Sequence, residues 1–170
     1  AKPGEPLVED WPPFLNLSEA DGYYFEVGSA ELAPAFELAL KGKIADLLEQ
    51  LIQKHKISVV EVVGHTDEQP IRGVSNLDQN LVPALNQRSV DQLKSSDNAG
   101  LGMSRAVAVV NVLQQDKRFG GVALLPLSAA QAIYPADKIA KGTEPGDAPK
   151  RRRVEIRLRK TSQEVAAARK

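Results

Sequence analysis

The sequence predicts an α+β fold, a two-layer sandwich in which helices cover one face of a small mixed β-sheet. Three observations in the 170-residue chain carry that prediction. Phe36, Leu40, Ile44, Leu47, Leu48, Leu51 and Ile52 recur at the three- and four-residue spacing of an amphipathic helix. Ala106, Val109, Val110 and Leu113 repeat the pattern later. Between and after them lie the β-branched run Ile57 to Val63 and the alternating segment Arg152 to Lys160. The order βαβαβ, with one more strand after a loop, suits helices packed on a single sheet face, with right-handed crossovers between parallel strands.

Residues 1–21 read as a proline-rich arm. AKPGEPLVEDWPPF holds four prolines and no periodicity, and Trp11 and Phe14 are the residues expected to dock it. Gly22 to Val27 has the aromatic and β-branched content of a short strand, which Gly28-Ser29 ends. Pro34 suits the first turn of a helix reaching Lys54, because its missing N–H is not needed there. The strand Ile57 to Val63 follows and runs directly into Gly64-His65-Thr66-Asp67. A second helix is expected from Asn98 to about Gln115, capped by Asp97 or Asn98.

Residues 68–97 stand as an insertion with a short helix near Leu77 to Leu81, stopped ahead of Pro83. Val122 to Leu127 is a third strand, and Lys141 to Lys150 is a loop by composition. From Arg152 to Lys160, Val154, Ile156 and Leu158 point one way and Arg153, Glu155, Arg157 and Arg159 the other. This predicts a half-buried edge strand with a charged outer face, whose arginines discourage sheet-to-sheet pairing. Arg152 shares the inward side. The main domain therefore spans 22–160, with 161–170 a helix-prone tail.

Composition removes several function classes. Net charge is zero, so no overall field draws the chain to nucleic acid, and the KRRR run from Lys150 belongs to the strand's outer face. The absence of cysteine excludes disulfides and thiolate chemistry, and two histidines are too few for a structural zinc site. No cofactor or metal is expected. No apolar run approaches the roughly 20 residues of a membrane span, and no signal peptide is visible at Ala1. A nucleophile elbow of the G-x-S-x-G type is missing, which weighs against hydrolysis through His65.

The chemistry concentrates at two places. Gly64 permits a sharp exit from a strand, and Thr66 and Asp67 then offer a hydroxyl and a carboxylate. Arg105 lies in the first turns of the second helix, whose free N–H groups also attract anions. One carboxylate and one guanidinium suit a zwitterion, with Asp67 taking an ammonium group and Arg105 forking onto a carboxylate.

VVEVVGHTDEQP, DNAGLGMSRAVAVVNVL and KRRRVEIRLRK, in that order, resemble the OmpA/MotB-type peptidoglycan-binding domain over roughly Tyr23 to Lys160. The family's helix motif N-x-x-L-S-x-x-R-A is met by Asn98, Leu101, Arg105 and Ala106. Its N-R-R-V-E-I strand is met by Arg152, Arg153, Val154, Glu155 and Ile156. YYFEVGSAELAP resembles the family's opening strand and turn. The resemblance implies an OmpA-C-like sandwich that binds the diaminopimelate of a wall stem peptide without catalysis. It implies Asp67 and Arg105 as the clamp, with Arg152, Asn98, Thr66, Leu101 and His65 around them.

The resemblance also implies a periplasmic domain tethered to the inner membrane by a segment N-terminal to this chain. Its expected partners are a membrane-protein subunit and a second copy of itself, as in the stator branch of ion-driven complexes. Three departures stand out. Gly102 replaces the motif serine, Arg151 replaces the asparagine before the double arginine, and SAAQAIYP carries alanines where glycine is usual. The competing readings are an assembly module that has lost the ligand and, further off, a wall hydrolase.

Overall fold

The computed structural model describes residues 14–169. Its main sheet runs in the order β1-β6-β2-β3, from β1 (Leu15–Ser18), β2 (Val59–His65), β3 (Ala123–Ala130) and β6 (Arg153–Arg159). β2 pairs parallel with β3 and antiparallel with β6, and β6 pairs antiparallel with β1, so the sheet is mixed as expected. Pro126 fits in β3 because that strand lies at the sheet edge, where a missing donor is tolerated.

One face carries the helices α1 (Pro34–Lys41), α2 (Lys43–His55), α3 (Leu77–Gln87) and α4 (Asn98–Gln114). Phe36, Leu40, Ile44 and Leu48 meet Val60, Val62, Val154 and Ile156 of the sheet and Ala106, Val109, Val110 and Leu113 of α4 in one core. Each of the larger side chains contributes about 1.5–3 kcal/mol by leaving water. The apolar character of α4 extends beyond its predicted stripe: Val107, Ala108 and Val112 are buried too, because α4 is enclosed by the sheet and by α1 and α3.

Several elements differ from the sequence reading. The expected helix from Pro34 to Lys54 breaks into α1 and α2 at Gly42, whose ψ of −106° leaves the helical region. Gly22 to Val27 forms no strand beyond a single bridge, Phe25 to Leu32; Tyr23 and Phe25 instead pack their rings on Phe36. The stretch assigned to the arm contributes β1 and a 3-10 turn at Glu19–Asp21, since Leu17 has a core site to fill beside Val154. Phe14 is about half exposed, and Trp11 lies outside the described residues.

α3 runs through Pro83 rather than stopping before it. Ala84, buried against α4 and accepting a 3.3 Å hydrogen bond from Asn111 Nδ2, holds the continuing turn in place. A small hairpin, β4 (Ile133–Tyr134) with β5 (Lys138–Ile139), was not anticipated. The tail forms α5 (Ser162–Ala168), started by a capping box between Thr161 and Glu164.

The largest correction concerns β6. It is an interior strand, and two of its supposed outer charges, Arg153 and Glu155, are buried. The reason is that β1 covers its far edge while the β4 region supplies acceptors: Arg153 donates to the Ile133 carbonyl, and Arg151 donates to Gln131 and lies 4.5 Å over the Tyr134 ring. Arg151 also pairs with Glu68 at 2.8 Å.

The alanine-for-glycine exchange has a measurable consequence. Ala130 sits at φ +51°, a left-handed conformation that costs an L-residue about 1–2 kcal/mol. Its carbonyl holds the Thr66 N–H at 2.9 Å, so the conformation is fixed by its role. Ala130→Gly should therefore raise stability by about 0.5 kcal/mol after the entropy of the added glycine is subtracted. Urea unfolding at neutral pH measures it, and a less stable variant would contradict the strain argument.

Candidate functional site

A cleft of about 620 Å³ opens where the C-terminal end of β2 meets the N-terminal end of α4. Thr66, Asp67, Asn98, Leu101, Arg105 and Arg152, chosen from sequence, all line it. Two glycines bring these elements together. A Cβ on Gly64 would lie 2.0 Å from the Gly102 carbonyl oxygen, and one on Gly102 would lie 2.4 Å from Ser128 Oγ. The strand and the helix thus touch backbone to backbone. The departure at Gly102 has its explanation here, since a serine would intrude on this contact.

Asp67 is buried and held from three directions. Its Oδ1 accepts from Gln69 N at 3.1 Å, and its Oδ2 accepts from Ala148 N at 3.4 Å and from Arg152 Nη1. Arg152 forks onto Glu19 at 2.6 and 2.9 Å and also reaches Asp147. Its pKa stands above the ordinary arginine value, chiefly through the Glu19 hydrogen bonds. Asn98 Nδ2 donates to Gln69 O at 3.1 Å, tying the start of α4 to the segment after β2. Thr66 is buried, its hydroxyl donating to the Asp67 carbonyl at 3.0 Å.

Arg105 differs from every other charge in the cleft. It is only 6% exposed, its Nε donates to the Ser29 carbonyl at 3.0 Å, and its guanidinium lies 4.9 Å over the Phe25 ring. Among the described residues no carboxylate pairs with it and no hydrogen bond uses its terminal nitrogens. Burial pushes its pKa down to about 10; Glu19 and Asp67 oppose that shift from a distance and Arg152 adds to it. A desolvated, unpaired guanidinium at a cleft wall offers free N–H donors to an incoming carboxylate. Counting Glu19, Asp67 and Asp147 against Arg105 and Arg152, the cleft carries a surplus of negative charge that suits a ligand also bearing an ammonium group.

Glu19, Phe25 and Asp147 were missed by the sequence reading. Glu19 sits in the supposed arm, 133 positions from Arg152, and Asp147 in a loop that composition alone describes, whereas the aromatic run at Tyr23 was visible but read as a strand.

His65 does not join the cleft. It is fully buried on the sheet face away from the helices, with Nε2 3.4 Å from Glu155 Oε2. Glu155 also accepts from Arg153 at 3.0 Å and from Arg157 at 2.7 Å. Burial alone would raise the Glu155 pKa, but the neighbouring His65 imidazole and the hydrogen bonds from Arg157 and Arg153 outweigh it and hold the carboxyl well below its ordinary 4.5. A depressed carboxyl contributes stability that is present in full above the unfolded value and disappears as pH falls through the folded one. Glu155→Gln should therefore cost about 2 kcal/mol at pH 7 and flatten the acid limb below pH 4.5. Urea unfolding from pH 7 to pH 3 checks both, and a parallel acid limb would refute the assignment.

No protein-family model matches the chain, and no curated protein sequence does. Solved structures do match. The periplasmic domain of Helicobacter pylori MotB aligns with a TM-score of 0.56 over 94% of this chain and 83% of that one, at 19% identity. Another MotB periplasmic domain gives 0.54 at 20% identity, covering 94% of this chain and 69% of that one. A MotB-like protein from Desulfovibrio vulgaris gives 0.50 at 17% identity, with 87% and 75% covered. The structural alignments show a shared fold: the mixed sheet with helices on one face is the architecture of the MotB periplasmic domains.

Proposed function

We propose that this chain is an OmpA/MotB-type domain that binds peptidoglycan non-covalently, gripping a diaminopimelate-containing stem peptide, and so anchors a membrane protein or complex to the cell wall. The observation that carries the reading is Arg105, buried, free of any carboxylate partner among the described residues and lining a cleft beside Asp67. Its guanidinium takes the ligand carboxylate. The ammonium group lies toward Asp67, Glu19 and Asp147, where it shares the carboxylates that Arg152 already holds. Thr66, Asn98 and Leu101 shape the wall between them.

The domain acts in the periplasm, tethered to the inner membrane through a segment N-terminal to it. Its partners are a membrane subunit and a second copy of the chain, as for a stator subunit. Among the described residues no helix is long and apolar enough to cross a membrane. The role is not enzymatic: a hydrolase reading needs His65 and Asp67 in one site, and His65 is turned toward Glu155 on the other side of the sheet.

The test is sedimentation of the chain with purified sacculi, with and without free diaminopimelate. The expected result is pelleting that diaminopimelate displaces, with no muropeptides released. Failure to pellet favours a pure assembly module, and released muropeptides favour an enzyme.

A further inference from the structure

A second cavity, of about 500 Å³, adjoins the Arg105 cleft, and Gly28 and Leu101 line both. One wall is the turn from Gly28 to Glu31, whose Ser29 carbonyl holds Arg105 Nε. The other comes from the insertion, through residues 72–74 and 90–95, and Ser104 closes the floor from α4.

This wall is built rather than loose. The Asn76 side chain donates to Gln92 O at 2.7 Å and accepts from Lys94 N at 2.8 Å, while the Asn76 N–H donates to Lys94 O at 3.2 Å. Ser95 Oγ meets the buried Ser104 Oγ at 3.2 Å, fastening the same segment to α4. Arg72 and Lys94 stand on this wall, and among the described residues neither side chain makes an ion pair or hydrogen bond. Three backbone and side-chain bonds from Asn76 thus fix the backbone from which Lys94 projects.

We propose that the insertion forms a second subsite of the same ligand groove, in which Arg72 and Lys94 take a carboxylate from the peptide residue adjoining diaminopimelate. The inference rests on the peptide-binding reading above and deepens it. Arg105 bonds the Ser29 carbonyl of the second cavity's wall, and Leu101 lines both cavities, so a peptide whose diaminopimelate carboxylate meets Arg105 runs past Leu101 into the second cavity. Glu31 and Asp91 on the same lining disfavour a ligand with several acidic groups and keep the subsite selective for one.

The experiment is calorimetric titration of the chain with three probes. They are free diaminopimelate, a wall tripeptide with a free carboxylate on the residue before diaminopimelate, and that tripeptide with this carboxylate amidated. The parent should bind the carboxylate tripeptide about fivefold to tenfold more tightly than the amidated one. Arg72→Ala combined with Lys94→Ala should erase that preference and leave diaminopimelate binding unchanged. If the double variant keeps the parent's preference, or the parent has none, the subsite is refuted while the peptide-binding reading stands. If the parent binds none of the probes, both fall.

Discussion

Arg105→Ala should lose peptidoglycan binding while keeping its fold. Truncating one partner of a desolvated charge pair costs about 2–5 kcal/mol, roughly a thirtyfold to several-thousandfold loss in affinity. In the unliganded chain the same substitution removes a cation that is buried without a carboxylate, so the desolvation recovered offsets the lost Ser29 hydrogen bond and Phe25 stacking. Binding and stability therefore separate at this residue. Arg105→Lys retains charge but loses the planar fork and should bind at an intermediate level. Pelleting with sacculi, read beside thermal unfolding, decides it: a folded Arg105→Ala that pellets like the parent sinks the carboxylate-acceptor role.

Asp67→Ala is a less discriminating probe. Asp67 is tied to Arg152, Gln69 and Ala148, so its loss strips Arg152 of a buried partner and loosens the cleft itself. A binding defect there would mix recognition with architecture. Charge complementarity to a zwitterion gives Asp67 an ammonium group, and strand alternation places Arg152 on the inward side near it. The geometry shows the two already paired, so in the proposed binding mode the ammonium lies toward the shared carboxylates of Glu19, Asp67 and Asp147.

The parts of the fold legible in sequence are those governed by local periodicity. β2 and α4 appear within two residues of their expected bounds because their apolar residues repeat at strand and helix spacing over whole elements. The cleft was legible for a related reason: Asp67 directly follows one such element and Arg105 lies in the other. The misreadings share a cause as well. β1 is four residues long, and its Leu-Asn-Leu-Ser alternation is too short to stand out beside the proline-rich segment before it; β6 supplies the edge it pairs with. Arg153 and Glu155 look like surface charges on any strand and are buried only because each supplies the other's partner, with His65 and Arg157 completing the set. Pairings such as Arg152 with Glu19, between residues that no motif links, leave no trace in spacing.

Among the described glycines, Gly64→Ala should be the most destabilising. The new Cβ would sit 2.0 Å from the Gly102 carbonyl oxygen and 2.8 Å from its carbon, and all of these atoms belong to backbone. No rotamer change relieves that overlap, so β2 and α4 must move apart, opening a core that runs from Val60 to Leu113. Overpacking that side chains can absorb costs about 1–3 kcal/mol, and a rigid backbone clash exceeds it; about 3–5 kcal/mol is expected. Gly102→Ser meets Ser128, whose Oγ can rotate away, and the Gly64 carbonyl oxygen only at 3.0 Å, and should cost less, about 1–2 kcal/mol. Adding Ser128→Ala should recover part of it. The same displacement carries Arg105 away from Asp67, so Gly64→Ala that remains folded should also pellet poorly with sacculi, although neither glycine needs to touch the ligand. Urea unfolding within about 1 kcal/mol of the parent would show that the two elements are not held by this contact.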